Sequence, residues 1–130
     1  MYCLDTNIII DLFKGDKKLK EKIIEIKQTG INFFITTINL LELYKGLYLF
    51  KDLEIEKLKI ERFIETVKII EIDRFVCEIF GREFSRLKKE GKITEEKDLI
   101  IASIAKANNL ILITRNKKHF ENIDIKIEVW

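Results

Sequence analysis

Leu110-Ile111-Leu112-Ile113 is a wholly apolar run, half of it β-branched, and Thr114-Arg115-Asn116 follows it directly. A strand with one face in water alternates apolar and polar residues. An unbroken apolar run this short suits a strand covered on both faces, as in the middle of a parallel sheet. Working outward, Thr94 to Asn108 carries helical spacing before it, and a last strand is expected near Ile125–Val129. The same alternation continues toward the N-terminus. Arg74–Lys89 reads as a long amphipathic helix ending at Gly91, and Val67–Ile72 as a strand. Leu53–Thr66 and Ile38–Phe50 read as helices, and Ile31–Thr36, bounded by Gly30, as a strand. Lys17–Lys27 is a charged helix expected to turn Leu19, Ile23, Ile24 and Ile26 inward. Asp5 or Thr6 caps a helix running to Phe13 and stopped near Gly15, and Tyr2-Cys3-Leu4 opens the chain as a short buried strand. Strands alternating with helices predict an α/β fold, with a mostly parallel sheet of four to five strands and helices on both faces.

The 130 residues suit one domain spanning 1–130, since single cores form at roughly 100–150 residues. With 47% hydrophobic and 35% charged residues, the chain is too rich in core-forming side chains for disorder. Its 24 basic and 22 acidic residues leave a net charge of only +2, so contact with nucleic acid must come from local patches. Cys3 and Cys77 lack the C-x-x-C spacing of zinc sites and are too few for a disulfide scaffold, which predicts a reduced, cytoplasmic protein with both thiols packed inside. Met1–Leu4 reaches Asp5 without a basic leader, so no signal peptide is expected. The longest uncharged run, Gln28–Leu41, is too short and too polar to span a membrane, and no membrane association is expected. One histidine and no proline leave little for a serine hydrolase or a histidine-rich metal site.

In open α/β sheets, chemistry gathers at the carboxyl ends of the strands. Asp5 closes the first strand there, and Glu42 lies early in the helix after Phe33–Thr36. Asp98 shares a helical stripe with Ile101, Ala102 and Ala105, which sets a carboxylate on the core side while Glu95 and Glu96 serve the helix dipole. Asn116 follows the Leu110–Ile113 strand. Singly, each acid has a plain reading as a helix cap, a solvated side chain or a first-turn acid. Jointly, three carboxylates at one edge repel each other, with no lysine or arginine evidently placed to neutralise all three. A hard divalent cation, Mg²⁺ or Mn²⁺, resolves this, and such an ion activates water against a phosphodiester.

Two basic clusters stand out: Arg115, Lys117, Lys118 and His119, and Arg82, Arg86, Lys88, Lys89 and Lys92. Either suits RNA phosphates, and either also reads as an ordinary solvated face. His119 reads as structural or surface. Tyr44 and Leu47–Phe50, continuing through Leu58, Phe63 and Ile64, are more apolar than one helix face needs, which suits core packing or a groove for a partner segment.

Four stretches in order carry a resemblance: Leu4-Asp5-Thr6-Asn7-Ile8, Asn39–Gly46, Asp98–Ala105 and Leu112–Phe120, with an apolar tail ending in Trp130. In these the chain resembles PIN domains, and more narrowly the VapC ribonuclease toxins of type II toxin–antitoxin systems. The resemblance implies a PIN-like three-layer α/β/α sandwich and a Mg²⁺- or Mn²⁺-dependent endoribonuclease that hydrolyses RNA by metal-activated water. It implies that Asp5 and Asp98 bind the metal directly, that Glu42 does so directly or through water, and that Thr6, Asn7 and Thr114 support them by hydrogen bonds. Asn116 stands where the family often has a further acid, so one metal is expected, with Asn116 positioning water or phosphate. A cognate antitoxin and a homodimer are implied as partners. Two other readings stay open: a housekeeping PIN-fold RNA-processing nuclease, and a catalytically weak module that binds antitoxin or nucleic acid. A haloacid-dehalogenase-like phosphatase needs a second Asp where Asn7 stands, and a phospho-receiver domain would carry its Asp on another strand.

Overall fold

The computed structural model describes residues 1–130. The elements run β1 (Tyr2–Leu4), α1 (Thr6–Phe13), α2 (Lys17–Gln28), β2 (Phe33–Thr36), α3 (Thr37–Leu47), α4 (Leu53–Ile64) and β3 (Lys68–Ile70). They continue with α5 (Arg74–Lys89), α6 (Glu96–Ala107), β4 (Ile111–Thr114), a 3₁₀ turn at Lys117–His119 and β5 (Ile127–Val129). The sheet order is β3-β2-β1-β4-β5, and every neighbouring pair is parallel. This is the expected α/β/α architecture, at the upper end of the expected strand count and wholly rather than mostly parallel.

Side-chain alternation along the strands divides the core in two. Leu4, Phe33, Ile35 and Ile113 face α1–α4, where Ile8, Ile9, Leu19, Ile23, Leu43, Leu47 and Ile60 complete one layer. Cys3 and Leu112, one residue out of phase, face α5 and α6 with Leu87, Leu99, Ile101, Ala102 and Ala105. Fully burying each Leu or Ile contributes about 1.5–3 kcal/mol, so these two layers are the main source of stability. Side-chain caps at Asp16, Thr36 and Asp73 start α2, α3 and α5, each accepting from the backbone N–H three residues on. Gly91, at φ +65°, ends α5 in the left-handed conformation that glycine adopts without strain.

Several boundaries move. The helix expected over Ile38–Phe50 stops at Leu47, and Tyr48, Leu49 and Phe50 lie exposed beyond it. The helix expected from Thr94 starts at Glu96, and the last two strands shift to Ile111–Thr114 and Ile127–Val129. Ile24, expected inside, is 46% exposed because it sits one helical step off the Leu19–Ile23 stripe. Cys77 is exposed for the same reason, one step off the buried stripe of Val76, Ile79, Glu83 and Leu87. Cys3 lies fully buried in the sheet, where burial pushes its thiol up to about 12. In the native protein one thiol, Cys77, should therefore react promptly with a disulfide reagent, and Cys3 only after denaturation. Two fast equivalents in a native thiol titration would contradict the buried central strand.

Candidate active site

The sheet's order reverses at β1. The chain steps outward to β2 and β3, then returns to place β4 on β1's other side. Such a switch point leaves a crevice at the carboxyl ends of β1 and β4. Asp5 and Thr114 stand on either side of it, and the Asp5 N–H donates to Ile113 O at 2.9 Å.

Asp5 is the N-cap of α1, its Oδ1 accepting from Thr6 N at 2.8 Å. Its Oδ2 accepts from Thr114 Oγ1 at 2.7 Å and from Asn7 Nδ2 at 3.0 Å. The carboxylate is 6% exposed, and every donor it meets is neutral. Burial raises its pKa, the bonds from Thr114 and Thr6 oppose that rise, and the charge on Glu42 adds to it. Asn7 turns its other end to the Arg115 N–H, at 3.3 Å, and Thr114 Oγ1 accepts from Asn116 N at 3.0 Å.

Asp98 is 5% exposed on the inner side of α6, in the stripe with Ile101, Ala102 and Ala105, as its spacing predicts. Burial pushes its carboxyl up to about 6, with His119 pulling down and Asp5 pushing further up. His119 Nδ1 lies 3.2 Å from Asp98 Oδ2. The sequence reading set this histidine aside, yet the 3₁₀ turn after β4 brings it against the site.

Glu42 is held from two sides. Thr6 Oγ1 donates to its Oε2, and Lys97 Nζ stands 2.8 Å from its Oε1. The bond to Glu42 is the first cause of a raised Lys97 pKa. No lysine or arginine was expected to neutralise all three acids, and Lys97 pairs directly with one of them. Thr6 in turn accepts from Asn39 Nδ2 at 2.9 Å, and Asn39 Oδ1 accepts from Thr36 N and Oγ1 at 2.7 and 2.8 Å. Asn39 and Lys97 are the site's neighbours that sequence reasoning missed, whereas His119 was expected close by but as a structural or surface residue. Only Asn39 left a signal, standing three residues after the capping Thr36.

Asn116 is exposed at the sheet's edge, and its side chain makes no cap to the turn that follows. Lys117 and Lys118 are exposed beside it. Arg115 is not available in the same way. Its guanidinium pairs with Asp11 at 2.8 Å and Asp16 at 2.7 Å, and its Nε donates to Trp130 O at 3.0 Å. In the second basic cluster, Arg86 is committed to Glu83 and Glu90, Arg82 to Glu78 and Lys92 to Glu90.

No three His, Cys, Asp or Glu side chains draw close enough here to enclose a metal by themselves. The buried pair Asp5 and Asp98 nevertheless fits a hard cation. Both are oxygen donors, they push against one another electrostatically, and Mg²⁺ typically binds through one or two carboxylates while keeping its waters. Next to the site, a groove of about 360 Å³ is lined by Ile10, Phe13, Leu43, Leu47, Phe50 and Ile60 and reaches Glu42.

A family profile for the PIN domain matches residues 2–126. Ribonuclease VapC1 of Haemophilus influenzae strain R2866 is 32% identical over 131 aligned residues, covering 100% of this chain and 98% of its own. Ribonuclease VapC3 of Methanocaldococcus jannaschii is 37% identical over 78% of this chain and 94% of its own. Among solved structures, VapBC2 from Rickettsia felis, bound to a DNA fragment from its promoter, superposes with a TM-score of 0.92 at 30% identity, over 99% of this chain and 98% of that one. The chain belongs to the PIN domain family and, within it, to the VapC group.

Asp98 also ties the site to stability. Its carboxyl holds a proton up to about pH 6 when folded, and up to about pH 4 when unfolded. Ionised, it therefore weighs against folding above pH 6, and the metal-free protein recovers that loss as pH falls from 6 toward 4. Asp98→Asn should raise the Tm of the metal-free protein at pH 7.5 by roughly 2–8 °C. That advantage should shrink toward zero at pH 4–5. Calorimetric scans of both proteins across this range check the sign, and a variant less stable at pH 7.5 would contradict it.

Proposed function

We propose that this protein is a Mg²⁺- or Mn²⁺-dependent endoribonuclease, the toxin of a type II toxin–antitoxin pair, working in the cytoplasm as a one-domain homodimer with a cognate antitoxin. The observation that carries this reading is the buried pair Asp5 and Asp98 at the switch point of a parallel sheet, with only neutral donors on Asp5. Membership of the VapC group, whose relatives are named ribonucleases, supports RNA as the substrate. No helix is long and apolar enough to cross a membrane.

Asp5 and Asp98 would hold the cation, and Glu42 would reach it through water from its place between Thr6 and Lys97. When bound, the cation activates water and offsets charge on the scissile phosphate. Thr114, Asn7 and the Thr6 N–H fix the rotamer of Asp5, so the carboxylate is set before substrate arrives. Asn116, exposed at the crevice's edge, is placed to orient water or a phosphate oxygen. Lys117 and Lys118 lie on the same rim and suit the RNA backbone. Arg115 instead braces the site from behind, tying β4 to α1, α2 and the C-terminus. The apolar groove that ends at Glu42, beside the exposed Tyr48, Leu49 and Phe50, suits the tail of the antitoxin.

Purified protein should cut a mixed cellular RNA pool with Mg²⁺ or Mn²⁺ and stop on addition of EDTA. Asp5→Asn and Asp98→Asn should each lower the rate by at least roughly 100-fold. Folded, metal-loaded protein that leaves a broad RNA pool intact would transfer the assignment to a binding module, the reading that Asn116 favours.

The two kinds of basic residue should separate. Lys117→Ala and Lys118→Ala should each flatten the salt dependence of RNA binding by about one phosphate contact and leave the Tm unchanged. Arg115→Ala should lower the Tm by several degrees. Gel-shift titrations at several salt concentrations and thermal scans distinguish them; an Arg115 variant with wild-type Tm would remove the bracing role.

A further inference from the structure

Among the three carboxylates of the site, only Glu42 is in direct contact with a lysine or arginine, and the same Lys97 acts on Asp98 at longer range. Lys97 Nζ lies 2.8 Å from Glu42 Oε1 and 3.8 Å from Glu95. Lys97 belongs to the first turn of α6, where the helix dipole disfavours a cation. Its placement there is explained by the acids it meets, since it reaches across from α6 to α3, bridging the helices that carry Asp98 and Glu42. The side chain is half exposed at the rim, so it is free to leave as well as to stay. Three carboxylates less one lysine leave two negative charges, the complement of a single divalent cation.

We propose that Lys97 is a positioning residue that competes with the divalent cation for Glu42, and thereby sets how much cation the site requires. This rests on the metal site proposed above. With Lys97 in place, Glu42 Oε1 is held toward the rim and its charge is already answered. A cation bound at Asp5 and Asp98 gains little from Glu42 until the ammonium moves aside. The same pairing keeps a second cation out, as does the uncharged Asn116 at the opposite edge.

The test is direct binding, with no turnover involved. Mn²⁺ is titrated calorimetrically into the wild-type protein and into Lys97→Met, Lys97→Arg, Glu42→Gln, Asp5→Asn and the double variant Lys97→Met/Glu42→Gln, each checked for folding by circular dichroism. Lys97→Met should tighten Mn²⁺ binding roughly five- to tenfold, while Lys97→Arg stays within about twofold of wild type. In the Glu42→Gln background the gain should disappear. Unchanged or weaker binding by Lys97→Met overturns the inference, and so does an equal gain without Glu42, because the lysine then acts on the site's charge as a whole. Wild-type protein with no Mn²⁺ binding that Asp5→Asn removes would take the metal site down with it. Normal wild-type binding with an unaltered Lys97→Met takes down the inference alone. Should Lys97→Met misfold, Lys97→Gln replaces it with the same expected outcomes.

Discussion

Parallel pairing throughout the sheet is the constraint on which the rest depends. Every strand points the same way, so every strand-to-helix turn opens at one edge, and the residues that begin α1 and α3 or end β4 have nowhere else to project. The central strand β1 is only three residues long and is paired on both sides, which leaves Asp5 at the bottom of the crevice rather than on its rim. Its burial follows from that position, and its bonds to Thr114 and Asn7 follow from β4 being the neighbour across the reversal.

The site and the fold therefore pull in opposite directions. Burying a carboxylate costs free energy unless something answers its charge. Asp5 meets only hydrogen bonds from neutral donors, Asp98 lies 3.2 Å from the His119 ring, and Glu42 alone is paired with a lysine. The cores on either face, with Ile8, Ile9, Leu99 and Ile101 almost wholly buried, supply the stability that lets such a site persist. Arg115 adds to it by binding Asp11, Asp16 and the carbonyl of Trp130, so that the residue immediately before Asn116 anchors the chain's end to its beginning.

What the sequence revealed, and what it hid, has a physical basis. Asp98 was legible because a carboxylate among Ile101, Ala102 and Ala105 breaks a helical stripe, and periodicity reports such breaks. Asp5 was legible because it ends an apolar strand. The alternation of apolar runs with amphipathic stretches gave the architecture, since both faces of a parallel sheet must be covered. Ile24 and Cys77 misled because each adjoins a buried residue in sequence, and one helical step of 100° carries it to the outside. The role of Lys97, the pairing of His119 with Asp98 and the partners of Arg115 were invisible for another reason. Their contacts join residues from 15 to 104 positions apart, and a charge in a list of charges does not say which distant group it will meet.

The hydrogen bonds at the start of α3 reach further than their place in the helix. Asn39 can present its amide in two ways, but its oxygen is claimed by the backbone and hydroxyl of Thr36, so its NH₂ must face Thr6. Thr6 has a single proton and, having accepted from Asn39, can only give that proton onward to Glu42. The polarity of the whole relay is thus decided at a helix cap rather than at the acids themselves. An aspartate at position 39 would keep the shape and reverse the sense: Thr6 would donate backward, and Glu42 would be left to Lys97 alone.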